Sequence, residues 1–268
     1  MKSENTKNES DDQILYSVCN SIATITLNRP ERRNALSLAA NIRLHGLWEK
    51  IDSDPNIRAV ILTSADCGTF CAGMDLKEAA ELRQSTGKDI LDLLADPFYE
   101  RMRKVTVPII ASMTGHFTAA GMVLAANSDM RVGLSGTKGG ITEARIGRGT
   151  PWAAPMIAML PQAILMELVT TGEMMPIERF LSLGFINFIE PTPEAVRVKA
   201  MSLALAIARN APLSVRAGKA GLLASCEFGA NAGYEISKAL HRQVYASHDA
   251  IEGPSAFAEK REPVWTCS

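Results

Sequence analysis

Cysteine is scarce and scattered in this chain of 268 residues: Cys19, Cys67, Cys71, Cys226 and Cys267 form no Cys-x-x-Cys pair and join no histidine at metal-ligand spacing. No disulfide framework and no metal site are expected, and reduced thiols point to a cytoplasmic setting. Excess charge is missing too, since 28 Lys and Arg face 29 Asp and Glu for a formal net charge of −1. A nucleic-acid partner is therefore not expected. The opening residues, "MKSENTKNESDDQ", lack both an apolar h-region and an Arg-rich amphipathic pattern, so neither a signal nor a transit peptide is read there, and no membrane partner is expected. Residues 1–13 read as a disordered tail. What the chain does have is 47% hydrophobic and 21% charged residues, the composition of a globular protein with a sizeable core.

The apolar pattern alternates between strand and helix. "SIATITLNRP" is β-branched from Ile22 to Leu27 and is stopped by Pro30. Leu38, Ile42, Leu47 and Ile51 then recur at near-helical spacing behind Ser37, a candidate N-cap, and "IRAVILTS" follows as a short continuous apolar run, the mark of a strand covered on both faces. "VPIIASMTG" repeats the strand signal, "AAGMVLAAN" reads as a short helix that is apolar all round, and "DMRVGL" as a further strand. This order predicts an α/β fold with a mainly parallel sheet. From Pro161 onward helices dominate: "PIERFLSLG" with Gly184 as its stop, "TPEAVRVKAMSLALAIARN", "PLSVRAGKAGLLAS" and "GYEISKALHRQVYAS". The expected organisation is an α/β core over 14–210 and a helical region over 211–268.

Two segments end a strand in small residues and then open a helix: "TFCAGMDLKEA", from Thr69, and "TGHFTAAGMVLAANSD", from Thr114. Such turns lie at the carboxyl ends of strands, where α/β sheets bind ligands. A helix N-terminus offers unpaired N–H groups and a positive dipole end, so two converging on one point would make an oxyanion hole without any side chain. Tight packing of helix on sheet explains the same small residues, and spacing alone favours that plainer reading, since isolated small-residue turns are weak motifs.

Taken together, "ITLNRPERRNALS", "IRAVILTSADCGTFCAGMDLKE", "VPIIASMTGHFTAAGMVLAANSDM", "TEARIG", "TTGEMMPIERFLSLGFINFI" and "NAPLSVRAGK" resemble the crotonase superfamily, the enoyl-CoA hydratase/isomerase family, over nearly the whole chain after the tail. The resemblance implies a crotonase-like (ClpP/crotonase) spiral of repeated β-β-α units, with a C-terminal helical region that trimerises, as a homotrimer or dimer of trimers. It implies an acyl-CoA thioester as substrate, with coenzyme A part of that substrate and no other cofactor. The thioester oxygen would be held by the backbone N–H groups of Met74 and Ala120. Ala72, Asp75, Leu76 and Lys77 would line the substrate with Met74, the stretch from Met74 to Lys77 on its adenosine side.

The family's hydratases use two glutamates. The first position falls here on Val123, which transfers no proton; the second falls on Glu143 of "TEARIG". A single carboxylate can still move a proton between two carbons of an enolisable thioester, which points to double-bond isomerisation of an enoyl-CoA, with Glu143 as acid and base in an apolar pocket. A hydratase or carbon–carbon bond hydrolase of the same superfamily is the alternative. A noncatalytic CoA-binding or RNA-binding relative is the reading from another class. His116 is a second titratable candidate for the pocket, although a lone histidine is more often a structural hydrogen-bonder. Asp75 reads as a helix cap and Asp129 as structural. Trp152, within "GRGTPWAAPMIAMLP", stands where the family has a glycine-rich stretch, so the acyl pocket is expected to be reshaped. The nearby methionines read as core filler.

Overall fold

The computed structural model describes residues 12–268. Residues 1–11 of the expected tail lie outside the described residues, while its last two are held: Asn28 Nδ2 donates to the Asp12 carbonyl at 2.8 Å and Ser37 Oγ to Gln13 Oε1 at 2.5 Å.

The chain begins with a hairpin of β1 (Ile14–Cys19) and β2 (Ile22–Leu27), whose two-residue turn places Asn20 and Ser21 at φ 51° and 61°. Both positive angles match the right-handed twist of paired strands. Helix α1 (Leu38–Ser53) follows, with the expected cap: Ser37 Oγ accepts the Ala40 N–H at 3.0 Å.

Three units of similar plan then wind onward. In the first, β3 (Ala59–Ser64) and β4 (Thr69–Cys71) lead to α2 (Leu76–Thr86), after which a long excursion ends in α3 (Glu100–Arg103). In the second, β5 (Ile109–Met113) and β6 (His116–Thr118) lead to α4 (Ala120–Asn127). In the third, β7 (Met130–Leu134) and β8 (Lys138–Gly140) lead to 3-10 turns at Glu143–Ile146 and Pro151–Ala158. The chain continues through α5 (Gln162–Thr171), β9 (Met174–Pro176), α6 (Ile177–Ser182), β10 (Phe188–Glu190), α7 (Pro193–Ala208), α8 (Pro212–Phe228), α9 (Ala230–Ala246) and α10 (Asp249–Glu259).

Each unit gives its first strand to one sheet and its second to another. The large sheet runs β1-β2-β3-β5-β7-β10 and the small one β4-β6-β8-β9. All neighbours are parallel except the β1–β2 and β8–β9 pairs at the edges. The expected mainly parallel sheet is thus two sheets, and the short second strands of each unit are what the apolar pattern left unread.

Strand β3 shows why its sequence is a continuous apolar run. Val60 and Leu62 face the main core with Leu44, Trp48 and Phe70, while Ala59 and Ile61 face α7. Alternate side chains point to opposite faces, and both faces are dry. On α7 the contact stripe is Val196, Ala200 and Ala204, small residues at one-turn spacing that let the helix lie close against the sheet.

One ion pair ties the C-terminal helices to this framework. Lys219 Nζ of α8 donates to Asp129 Oδ2 at 2.7 Å and to the Val107 carbonyl at 3.0 Å, and the same carboxylate oxygen accepts the Ile109 N–H at 2.7 Å. The Lys219 side chain is only 9% exposed. Removing its partner strands a nearly buried ammonium. Asp129→Ala is therefore expected to cost about 2 kcal/mol in urea unfolding, a loss that Lys219→Met in the same background partly recovers.

Candidate active site

The site is built where β4 and β6 end side by side. Gly73, φ 105°, closes the first turn: a Cβ there would sit 2.8 Å from Ala119 Cβ and 3.6 Å from the Ala120 nitrogen. Gly121 lies equally tight against the first segment, because its Cβ would stand 2.3 Å from the Cys71 carbonyl oxygen. The two turns therefore meet in van der Waals contact, and glycine is required at both points of approach.

Around Met74 the backbone ladder bypasses one donor. Leu36 N–H donates to the Gly73 carbonyl at 2.8 Å and Asp75 N–H to the Leu36 carbonyl at 2.9 Å. Across the contact Ala120 is the first residue of α4, so its N–H has no intrahelical acceptor. Ala119, just before it, sits at φ 50° and ψ −118°, a conformation that glycine adopts freely and alanine does not. The dihedrals that the small-residue turn demands are thus kept by an alanine under strain.

A cavity opens beside these turns. Ala72, Met74, Leu76, Ala120 and Val123 line it from the two segments, and Glu143 and Trp152 from the 3-10 turns. Glu143 is buried, 8% exposed, and its Oε2 has no hydrogen-bond partner among the described residues. Burial pushes its carboxyl above the usual carboxylate range, against hydrogen bonding from its own N–H, the Trp152 indole and the Thr142 backbone. A buried carboxyl oxygen without a partner is costly, and such groups cluster at functional sites.

Three expected site residues do not line the cavity. His116 begins β6, and its Nδ1 accepts the Lys138 N–H at 2.9 Å, the structural role of a lone histidine. Lys77 lies on the exposed side of α2, 3.9 Å from Glu81. The Asp75 carboxylate points back into the fold, where Oδ1 accepts the Glu78 N–H at 3.3 Å and Oδ2 pairs with Arg29 at 3.0 Å. That cap and ion pair hold its carboxyl below the usual range against the effect of burial.

The sequence reading missed one wall. The excursion between α2 and α3 contributes Leu91, Pro97, Phe98 and Tyr99, and the Glu143 side adds Ile146 and Arg148. The excursion carries one local signal, Asp89 followed by Asp92, which forms a capping box around the turn at Ile90–Leu93. Nothing in its spacing marks it as pocket wall. Among the described residues, no three His, Cys, Asp or Glu side chains gather as metal ligands.

Two strand-to-helix turns that offer free backbone donors beside one buried carboxylate define a protein suited to receiving a polarised carbonyl oxygen and moving a proton near it. The family model described as enoyl-CoA hydratase/isomerase matches residues 17–268. Enoyl-CoA hydratase EchA19 of Mycobacterium tuberculosis is 34% identical over 89% of this chain and 91% of its own length. The (E)-benzylidenesuccinyl-CoA hydratase of Thauera aromatica is 31% identical over 94% and 98%. A crystal structure of an enoyl-CoA hydratase from Bacillus anthracis superposes with a TM-score of 0.89 at 27% identity, covering 96% of this chain and all of that one. The chain belongs to the enoyl-CoA hydratase/isomerase family and has the crotonase fold.

Ala119→Gly should relieve the strained turn, and the gain outweighs the added freedom of the unfolded chain. Stabilisation of about 1 kcal/mol in urea unfolding is expected. Unchanged stability would show that the surrounding packing already absorbs the strain.

Proposed function

We propose that the protein isomerises a double bond in an enoyl-CoA, with the thioester oxygen held by the Met74 and Ala120 N–H groups and Glu143 as the single acid and base. The observation that carries this reading is that Val123 and Glu143 line the same cavity, one apolar and the other a buried carboxyl whose Oε2 has no partner among the described residues. In a 3-enoyl thioester the Glu143 carboxylate removes a C2 proton, and the electron pair moves onto the thioester oxygen as a dienolate. The same carboxyl then returns the proton to C4, which leaves the double bond between C2 and C3. Each backbone donor contributes about 3 kcal/mol to the charged intermediate. A carboxyl held above its ordinary range is well matched to taking and returning one proton.

The names of the relatives favour a second reading, hydration of a 2-enoyl-CoA, in which Glu143 alone would take a proton from the water as it adds to C3 and deliver that proton to C2. No cofactor beyond the substrate's own coenzyme A is proposed, and the setting is cytoplasmic. A homotrimer or dimer of trimers is proposed as well. It is supported by the apolar side chains of α8–α10 that stand in solvent, among them Phe228 at 58%, Tyr245 at 78% and Phe257 at 87% exposure.

Given trans-3-hexenoyl-CoA, the enzyme is expected to raise the ultraviolet absorbance of a conjugated 2-enoyl thioester, and Glu143→Gln to slow that rise about a thousandfold. The base form of Glu143 must be present, so kcat/KM should climb with pH through a limb lying above the ordinary carboxylate value. Full activity in the Gln variant removes Glu143 from the chemistry. No rise, together with consumption of a 2-enoyl-CoA by water, decides for hydration. Light scattering that finds a monomer at micromolar concentration would refute the trimer.

A further inference from the structure

The missed wall is fastened to the Glu143 side of the cavity by one side-chain pair. Arg148 presents its fork to the Asp89 carboxylate: Nη2 donates to Oδ1 at 2.7 Å and Nη1 to Oδ2. The pair is mostly shielded, with side chains 30% and 22% exposed. Asp89 also caps the turn beneath it, Oδ1 accepting the Leu91 N–H at 3.0 Å, and Leu91 lines the cavity. On the other side the Arg148 N–H donates to the Glu143 carbonyl at 3.0 Å. A continuous path of polar bonds thus runs from Leu91 through Asp89 and Arg148 to the turn that carries Glu143. The far end of the excursion is pinned separately, by Asn127 Nδ2 donating to the Phe98 and Tyr99 carbonyls and by Tyr99 Oη on Asn41.

We propose that Asp89 and Arg148 latch the wall formed by residues 87–99 over the acyl cavity, so that Asp89 is a positioning residue for Glu143 and sets the fit of the acyl group. The inference rests on the reading of Glu143 as acid and base. The latch is charge-assisted and bidentate, the strong form of such a contact, and it braces the turn that carries Glu143 through the backbone bond from the Arg148 N–H to the Glu143 carbonyl. The Arg148 guanidinium holds the Asp89 carboxyl down at about 2, so the latch stays charged throughout the working pH range. Other charges near the two ends are engaged elsewhere or exposed. Arg145 of the Glu143 turn pairs with Glu173, and Glu167 of the adjoining α5 pairs with Arg179. Beside Asp89 stand Arg83 of α2, at 3.2 Å and 68% exposed, and Asp92, whose carboxylate accepts the Asp89 N–H.

Asp89→Asn keeps the cap and loses the charge, which makes it the informative change. In the full-length enzyme its KM for the enoyl-CoA substrate is expected to rise about tenfold. The limb of kcat/KM assigned to Glu143 should move to lower pH as water reaches the carboxyl. Arg148→Lys keeps the charge without the fork and should fall between. The double variant Asp89→Arg with Arg148→Asp should recover most of the loss, and Arg83→Ala should behave as wild type. A wild-type KM and pH limb in both Asp89→Asn and Arg148→Lys would overturn the latch. Glu143→Gln is run alongside. If it proves active, the Glu143 role fails, while the KM comparison and the rescue still decide the latch.

Discussion

The contact between two turns governs the rest of the site. Gly73 and Gly121 bring the ends of β4 and β6 so close that one added methyl would meet Ala119 and another the Cys71 carbonyl. Only within that contact do the Met74 and Ala120 donors lie on adjacent segments. The repeated unit of the fold produces it: because each unit gives one strand to the large sheet and one to the small, successive strand-to-helix turns stack along the same edge. The central strands β3 and β5 of the large sheet, dry on both faces, supply the rigidity that such an approach needs.

Against that fixed backbone the side chains divide the labour. Asp75, His116 and Asp129 are polar and close to the turns in sequence, yet each is committed to a cap, a backbone N–H or an ion pair. Glu143 is the exception, since its Oε2 is buried without a partner among the described residues. Leaving a carboxyl in that state costs stability, and strain at Ala119 adds to the cost. Both costs fall within the site.

How much of this could be read from the sequence follows from the length of each signal. The run of β3 and the buried α4 each span enough residues for a pattern to emerge, and Ser37 and Gly184 marked ends that the structure keeps; the helix α1 was legible too, but of its four expected apolar positions Ile42 stands exposed, and Leu44 and Trp48 join Leu47 and Ile51 on the buried face. Strands β4, β6, β8, β9 and β10 have three residues each, too few for alternation to show. The hairpin strand β1 was hidden because most of its side chains are exposed. Family resemblance singled out Met74, Ala120 and Glu143, which the fold does gather at one cavity, but it could not show the excursion that walls them, because Leu91, Phe98 and Tyr99 reach the site from a non-periodic stretch. His116, a pocket candidate in the sequence, takes instead the structural role also read for it, because neighbourhood along the chain near a turn is not neighbourhood in the cavity.

A donor that belongs to the main chain is present whatever side chain the position carries, provided the turn is kept. In the proposed reaction, recognition of the thioester is thereby insulated from most point changes, and the reacting carboxyl is not. The position of Val123 illustrates the separation: it lines the cavity from α4, and on the proposed mechanism its exchange would alter which protons move without disturbing how the carbonyl is gripped. A scaffold organised in this way can change its reaction in a single step and still hold the same handle of its substrate.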